Sequence, residues 1–159
     1  MGLFRFFVFL LPVFLVRVGL PMNLSESNEQ LLGRWKFVGY IYGGMFQDPP
    51  NPNLVLTYEF RDDGTDTLHW HRINEKGFCE RKGVYSYDGE YLTDEVVWVN
   101  PGNAFECYRD PDMVMGKKEI TPLRRQQNRL YMELPLSEDT LIYIWELQTR
   151  VNDSRQPLR

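Results

Sequence analysis

"LVLTYEFRDDGTDTLHWHRI", residues 54 to 73, decides the fold class of this 159-residue chain. Two runs rich in β-branched and aromatic residues flank Asp62-Asp63-Gly64. That triplet fits a three-residue hairpin loop with glycine in the left-handed position. The turn sets the register: Phe60 faces Asp66, Tyr58 faces Leu68, and Leu56 faces Trp70. Side chains alternate across a strand, so one face collects Leu54, Leu56, Tyr58, Phe60, Leu68 and Trp70. The other collects Val55, Thr57, Glu59, Thr67, His69 and His71. The first face is apolar and is placed inward; a one-residue slip would reverse both.

The same grammar continues on both sides. Alternating runs cover 33 to 42, 78 to 87, 90 to 99, 104 to 109, 113 to 121, 129 to 134 and 140 to 148. Between them stand turn-forming stretches, including Asn74-Glu75-Lys76-Gly77, Asp88-Gly89, Asn100-Pro101-Gly102-Asn103, Asp110-Pro111-Asp112 and the segment 122 to 128. Eight or nine short strands with mostly hairpin connections predict an all-β domain, an up-and-down antiparallel barrel. A two-sheet sandwich competes, but it wants long connections between sheets, and only 43 to 53 is long. Before the first strand, "NLSESNEQLLG" reads as a short helical turn stopped by Gly33. There is no internal repeat and no second domain.

Residues 1 to 22 differ in kind. Arg5, the apolar run Phe6 to Val16, and Arg17 match a signal-peptide core; eleven residues span about 16 Å as a helix, too short for a bilayer. The nearest small-x-small triplet, Ser25-Glu26-Ser27, lies ten residues beyond the run. Export to the periplasm or the medium is the expectation. A start at Met22 with a cytoplasmic product, and an uncleaved membrane-associated segment, are the alternatives. The expected organisation is a leader over 1 to 22, a barrel over 23 to 150 and a polar tail over 151 to 159, with no stable membrane span once the leader is removed.

Composition narrows function. Hydrophobic residues are 43% and charged residues 25%, a globular balance. Net charge is −4, and without Arg5 and Arg17 it becomes −6. An acidic chain with no basic stripe argues against nucleic acid as a partner.

Gly33-Arg34-Trp35, opening the first strand of such a meander after a helical turn, resembles the lipocalins, and most closely the compact bacterial lipocalin-like domains. The resemblance covers about residues 25 to 150 and rests on Gly-x-Trp plus strand order. It implies that Trp35 closes the base of the barrel, and that an arginine near the end of the last strand, here Arg150, packs across it. It also implies that the loop 43 to 53 lies at the open end, with Met45 and Phe46 as a lid; an irregular proline-rich connector is the plainer reading of that loop. "PGNAFECYRDPD" does not reproduce the second-hairpin signature of the larger lipocalins. The residues agree on Trp35: it alternates with Phe37, Gly39 and Ile41 on one face, which buries it.

Inward candidates in the last two strands are Leu130, Met132 and Leu134, then Leu141, Tyr143 and Trp145, although Ile142 and Ile144 blur the phase of the final strand. Leu56, Tyr58, Phe60, Leu68, Trp70, Met132, Tyr143 and Trp145 are therefore the candidate ligand-binding residues. Eight strands leave room either for packed side chains or for one small ligand.

Sharper chemistry finds little support. His69 and His71 are the only histidines. They share a face, but zinc needs a further ligand and only Glu59 is nearby, so no metal is assigned. No cofactor, nucleophile elbow, phosphate loop or acidic dyad presents itself, so no catalytic residue is assigned, although some lipocalin relatives are enzymes. Asp62, Asp63 and Asp66 read as turn residues. Two cysteines in an exported chain suggest a disulfide. Yet Asp88-Gly89 as a two-residue turn sets Cys79 opposite Trp98, and a four-residue turn at 100 to 103 sets Cys107 opposite Val96. The thiols are then roughly 9 to 10 Å apart and free, unless the segment around Cys107 is not a simple hairpin partner.

The leading expectation is noncovalent binding of a small hydrophobic or amphipathic ligand. A protein-interaction module with a self-filled barrel is the alternative, and a small barrel enzyme a third.

Overall fold

A computed structural model describes residues 24 to 136 and 139 to 148. The leader, the tail and Arg150 lie outside the described residues. Helix α1 (Leu24–Glu29) precedes β1 (Gly33–Tyr42), β2 (Met45–Gln47), β3 (Leu54–Phe60), β4 (Thr65–Arg72), β5 (Phe78–Tyr87), β6 (Tyr91–Val99), β7 (Lys118–Gln126), β8 (Arg129–Leu136) and β9 (Asp139–Leu147). Every neighbouring pair is antiparallel, and β1 pairs with β9, so eight strands close into a barrel with β2 as an extra strand on β1. Closure removes the exposed sheet edges that an open meander would leave. Among the described residues no helix is long and apolar enough to cross a membrane.

The 54 to 73 hairpin has the expected register: Phe60 pairs with Asp66, Tyr58 with Leu68, and Leu56 with Trp70. Gly64 has φ +77°, and the Asp63 carboxylate accepts from the Thr65 amide at 2.9 Å. These local bonds fix the loop, and the loop fixes which face is inside.

One end of the barrel is sealed. Leu31, Trp35, Phe60, Tyr85, Tyr87, Leu123 and Leu130 are buried there. Trp35 is fully buried, and its indole N–H donates to the Leu31 carbonyl at 2.7 Å. Asn28 from α1 accepts from the Tyr87 amide at 2.7 Å, which plugs the helix against β5. Among the described residues, the arginine across Trp35 is Arg125 of β7, with its guanidinium 5.4 Å from the ring centroid.

Three expectations need correction. A β-bulge between Phe37 and Gly39 reverses the phase of β1, so Tyr40, not Gly39, follows Phe37 on the inside and faces Tyr143. The turn after β5 is centred on Gly89 and Glu90 rather than on Asp88 and Gly89: the Asp88 amide donates to the Tyr91 carbonyl at 3.3 Å, and the Asp88 carboxylate accepts from the amides of both Glu90 and Tyr91. It pairs Tyr87 with Leu92, and a further bulge at Lys82 and Gly83 brings Trp98 opposite Lys82 rather than Cys79. Finally, the run 104 to 109 is not a strand. It forms a 3-10 turn, Phe105–Arg109, followed by another, Pro111–Met113.

The reason lies in Asn103. Its side chain accepts from the Glu80 amide at 2.8 Å and donates to the Glu80 carbonyl at 3.0 Å, doing for β5 what a paired strand residue would do. The backbone beyond is released to coil, and Cys107 folds back to bond Cys79, with Cα atoms 5.6 Å apart. The free-thiol expectation is thereby overturned. The sixth strand's next partner starts later, at Lys118, and runs through Pro122 into the stretch expected to be a break.

Candidate functional site

The other end of the barrel is open to a cavity of about 480 Å³. It is lined on one side by Leu54 and Leu56 of β3, Leu68 and Trp70 of β4, Met132 and Leu134 of β8, and Tyr143 and Trp145 of β9. The volume falls within the range of small-molecule sites. The inward phase of four strands creates the wall, and the turn at 62 to 64 sets two of them.

Of the candidate ligand-binding residues, Leu56, Tyr58, Leu68, Trp70, Met132, Tyr143 and Trp145 line the cavity. Phe60 does not. It is buried at the sealed end, between Tyr58 (4.3 Å between ring centroids) and Tyr85 (4.9 Å). Leu141 is also absent from the lining. Met45 and Phe46 do not cover the cavity; they are 67% and 56% exposed, and the Phe46 ring lies against Gly39, where a Cβ would sit 2.7 Å from it. Gly39 pairs with Ile144, the outward-facing register of β9, so the Phe46 ring lies on the outer face of β1.

The opposite wall is polar. Arg81 of β5 is buried inside the barrel, donating to Asp66 of β4 at 2.8 Å and to the Tyr58 hydroxyl of β3 at 3.1 Å. Its second carboxylate partner is Asp94 of β6, which also accepts from the Tyr58 hydroxyl at 2.8 Å. Arg81, Asp94 and Tyr58 reach the cavity, while Asp66 lies behind them, fully buried. A buried guanidinium costs several kcal/mol of desolvation unless its hydrogen bonds are met. Two carboxylates and a phenol satisfy its terminal nitrogens, while its Nε and the Oδ2 of Asp66 are buried without a hydrogen-bond partner among the described residues.

The group is also charge-imbalanced, with two carboxyls for one cation. Burial first, and then the charge and hydrogen bond of Asp94, push the Asp66 carboxyl up to about 7 against the pull of Arg81. The Tyr58 phenol is raised well above its ordinary value, mainly by burial. Gly83 makes the cluster fit. It faces inward on β5, and a Cβ there would stand 2.5 Å from the Asp66 carboxylate and 2.8 Å from the Arg81 guanidinium.

The cluster was missed in the sequence, although the signal was present. Asp66 shares the alternation of Leu68 and Trp70, and Asp94 that of Leu92 and Val96. Asp66 is thus corrected from a turn residue to a core one: three residues past the loop residue Asp63, it looked like loop chemistry.

Toward the mouth, Lys117 bonds Asp112 at 3.0 Å and Glu119 at 2.8 Å, and all three line the cavity with Asp110 and Arg72. The disulfide anchors this rim. Cys107 and Met113 are buried beside Cys79, which ties the 3-10 turns carrying Asp110 and Asp112 to β5.

His69 and His71 lie on the outer face. The acidic neighbour of His69 is Glu80 on β5, 3.1 Å from Nδ1, rather than Glu59, which pairs with Arg61. Among the described residues no group of three or more His, Cys, Asp or Glu side chains is placed to hold a metal ion.

Compared with known proteins, the chain has no significant match among family models, curated proteins or solved structures.

Proposed function

We propose that the protein is a lipocalin-like carrier that binds one small apolar or amphipathic molecule noncovalently inside its barrel. The observation that carries this reading is the cavity of about 480 Å³ at one barrel end, with aliphatic and aromatic residues on one wall and Arg81, Asp94 and Tyr58 on the other. Burial of apolar ligand surface against Leu56, Leu68, Trp70 and Met132 supplies affinity at about 25 cal/mol per Å². Polar groups on the facing wall orient the ligand. The sealed end, with α1 and Trp35, acts as a fixed floor that leaves one entrance.

Export is part of the proposal. The Cys79–Cys107 bridge supports an oxidising compartment, where such bonds form and persist. The apolar leader read in the sequence supports the same route.

Native mass spectrometry on protein purified from its own cells tests the binding reading. A bound species of small-molecule mass, released on denaturation, is the expected result. Ligand-free protein that also takes up no apolar probe would contradict it.

A further inference from the structure

The cavity's charges point to the kind of molecule it takes. Four carboxylates line it, Asp94, Asp110, Asp112 and Glu119, against the bases Arg72, Arg81 and Lys117. Each base is already engaged. Arg81 is held by Asp66 and Asp94, Lys117 by Asp112 and Glu119, and Arg72 by Glu75 at 3.2 Å on the rim. Arg81 and Lys117 each face two carboxylates and present no net positive charge to an anionic ligand, while Arg72, half-exposed on the rim, bonds Glu75 through one nitrogen.

Asp110 differs. Its carboxylate caps the second 3-10 turn by accepting from the Asp112 amide at 2.9 Å, and no basic side chain pairs with it among the described residues. It is half-buried at the mouth. Burial first, and then the neighbouring Asp112 charge, hold its carboxyl above the usual range, against the pull of the Asp112 amide and the Lys117 charge. Across the cavity, the Tyr143 phenol is raised by burial and then by the charges of Asp112 and Asp110, so the potential of these acids reaches the aromatic wall. A cation entering here would meet a carboxylate that no basic side chain contacts directly among the described residues, with Tyr143 and Trp70 also on the cavity wall.

We propose that the ligand is a cationic amphiphile, an organic amine on an apolar chain or ring, with its charge beside Asp110 and its apolar part against the Trp70 and Tyr143 wall. This rests on the ligand-binding reading above and names the class of molecule for that same cavity. Specificity arises from charge pairing that an alcohol or a carboxylate of the same length does not gain.

Three probes with one tail, dodecylamine, dodecanol and dodecanoate, separate the two claims by calorimetric titration near neutral pH. The expected order is amine tightest, with affinity falling as salt is raised. Asp110→Asn keeps the capping oxygen and removes the charge. It should weaken the amine about fivefold and leave dodecanol unchanged. Dodecanoate or dodecanol binding as tightly as the amine, or an amine affinity indifferent to Asp110→Asn, overturns the cationic assignment while leaving a ligand-binding barrel. Failure of all three to bind overturns both.

Discussion

A Cβ on Gly83 would lie 2.5 Å from Oδ2 of Asp66, so the buried ion cluster occupies the volume that any other residue at position 83 would claim. The backbone of Gly83 does not demand glycine, since its φ is not positive. The demand is for space. Gly83→Ala forces Asp66, Arg81 or Asp94 to move in a site with no slack, and should cost about 3 kcal/mol of unfolding free energy. Urea denaturation checks this. A loss below about 0.5 kcal/mol would mean that the cluster is loosely held.

Asp66 makes stability depend on pH in an unusual direction for a carboxylate. Its folded value of about 7 exceeds the roughly 3.9 of an unfolded chain, so the folded state holds the proton more tightly. The stabilisation is complete below about pH 4 and is lost as pH rises through about 7. Asp66→Asn imitates the protonated form and still offers an acceptor to Arg81. The variant's urea midpoint should therefore fall less than the parent's between pH 4 and pH 8. Parallel profiles would assign the titration elsewhere.

The disulfide closes a loop between cysteines 28 residues apart. Chain-entropy reasoning puts its contribution at about 3 to 4 kcal/mol. The Cys79→Ser, Cys107→Ser double variant should lose about that much. It should also show faster amide exchange in residues 104 to 113 than in the 54 to 73 hairpin. Uniform change across the barrel would mean that the bridge does not specifically hold the rim.

Arg125 joins three parts of the sealed end. Its guanidinium lies over Trp35 and donates to the Gln30 carbonyl at 2.6 Å, linking β7 to the residues after α1. Arg125→Ala should destabilise by about 1 kcal/mol, with Arg125→Lys recovering part of it. Indole fluorescence and thermal melts report both. No change in either variant would mean that Arg125 does not support Trp35.

What the sequence made legible depended on how locally each feature was encoded. The hairpin at 54 to 73 carries its own register in Asp62-Asp63-Gly64, and the inward faces followed from it. The buried face of Trp35 was equally readable, because alternation and Gly-x-Trp agree. Register failed where a side chain replaced a backbone partner. Asn103 satisfies Glu80 and lets residues 104 to 113 coil, and no alternation pattern announces that. The same event brought Cys107 to Cys79. The polar wall was hidden for another reason: Asp66, Arg81 and Asp94 come from the neighbouring strands β4, β5 and β6, and their meeting depends on a register shifted by the bulge at Lys82 and Gly83. Phe60 carried the right face and the wrong depth, since alternation does not say which end of a barrel is sealed.

The central claim, a ligand cavity rather than a packed barrel, is tested most directly by filling it. Leu134 lines the cavity and is only partly buried, so Leu134→Trp can occupy the space with little disturbance of the sealed end. Titrating parent and variant with an uncharged fluorescent probe such as N-phenyl-1-naphthylamine gives the comparison, with thermal melts confirming that both are folded. The account predicts saturable one-to-one binding by the parent and a loss of about tenfold or more in the folded variant. Equal binding by the two, or a signal that never saturates, would contradict it.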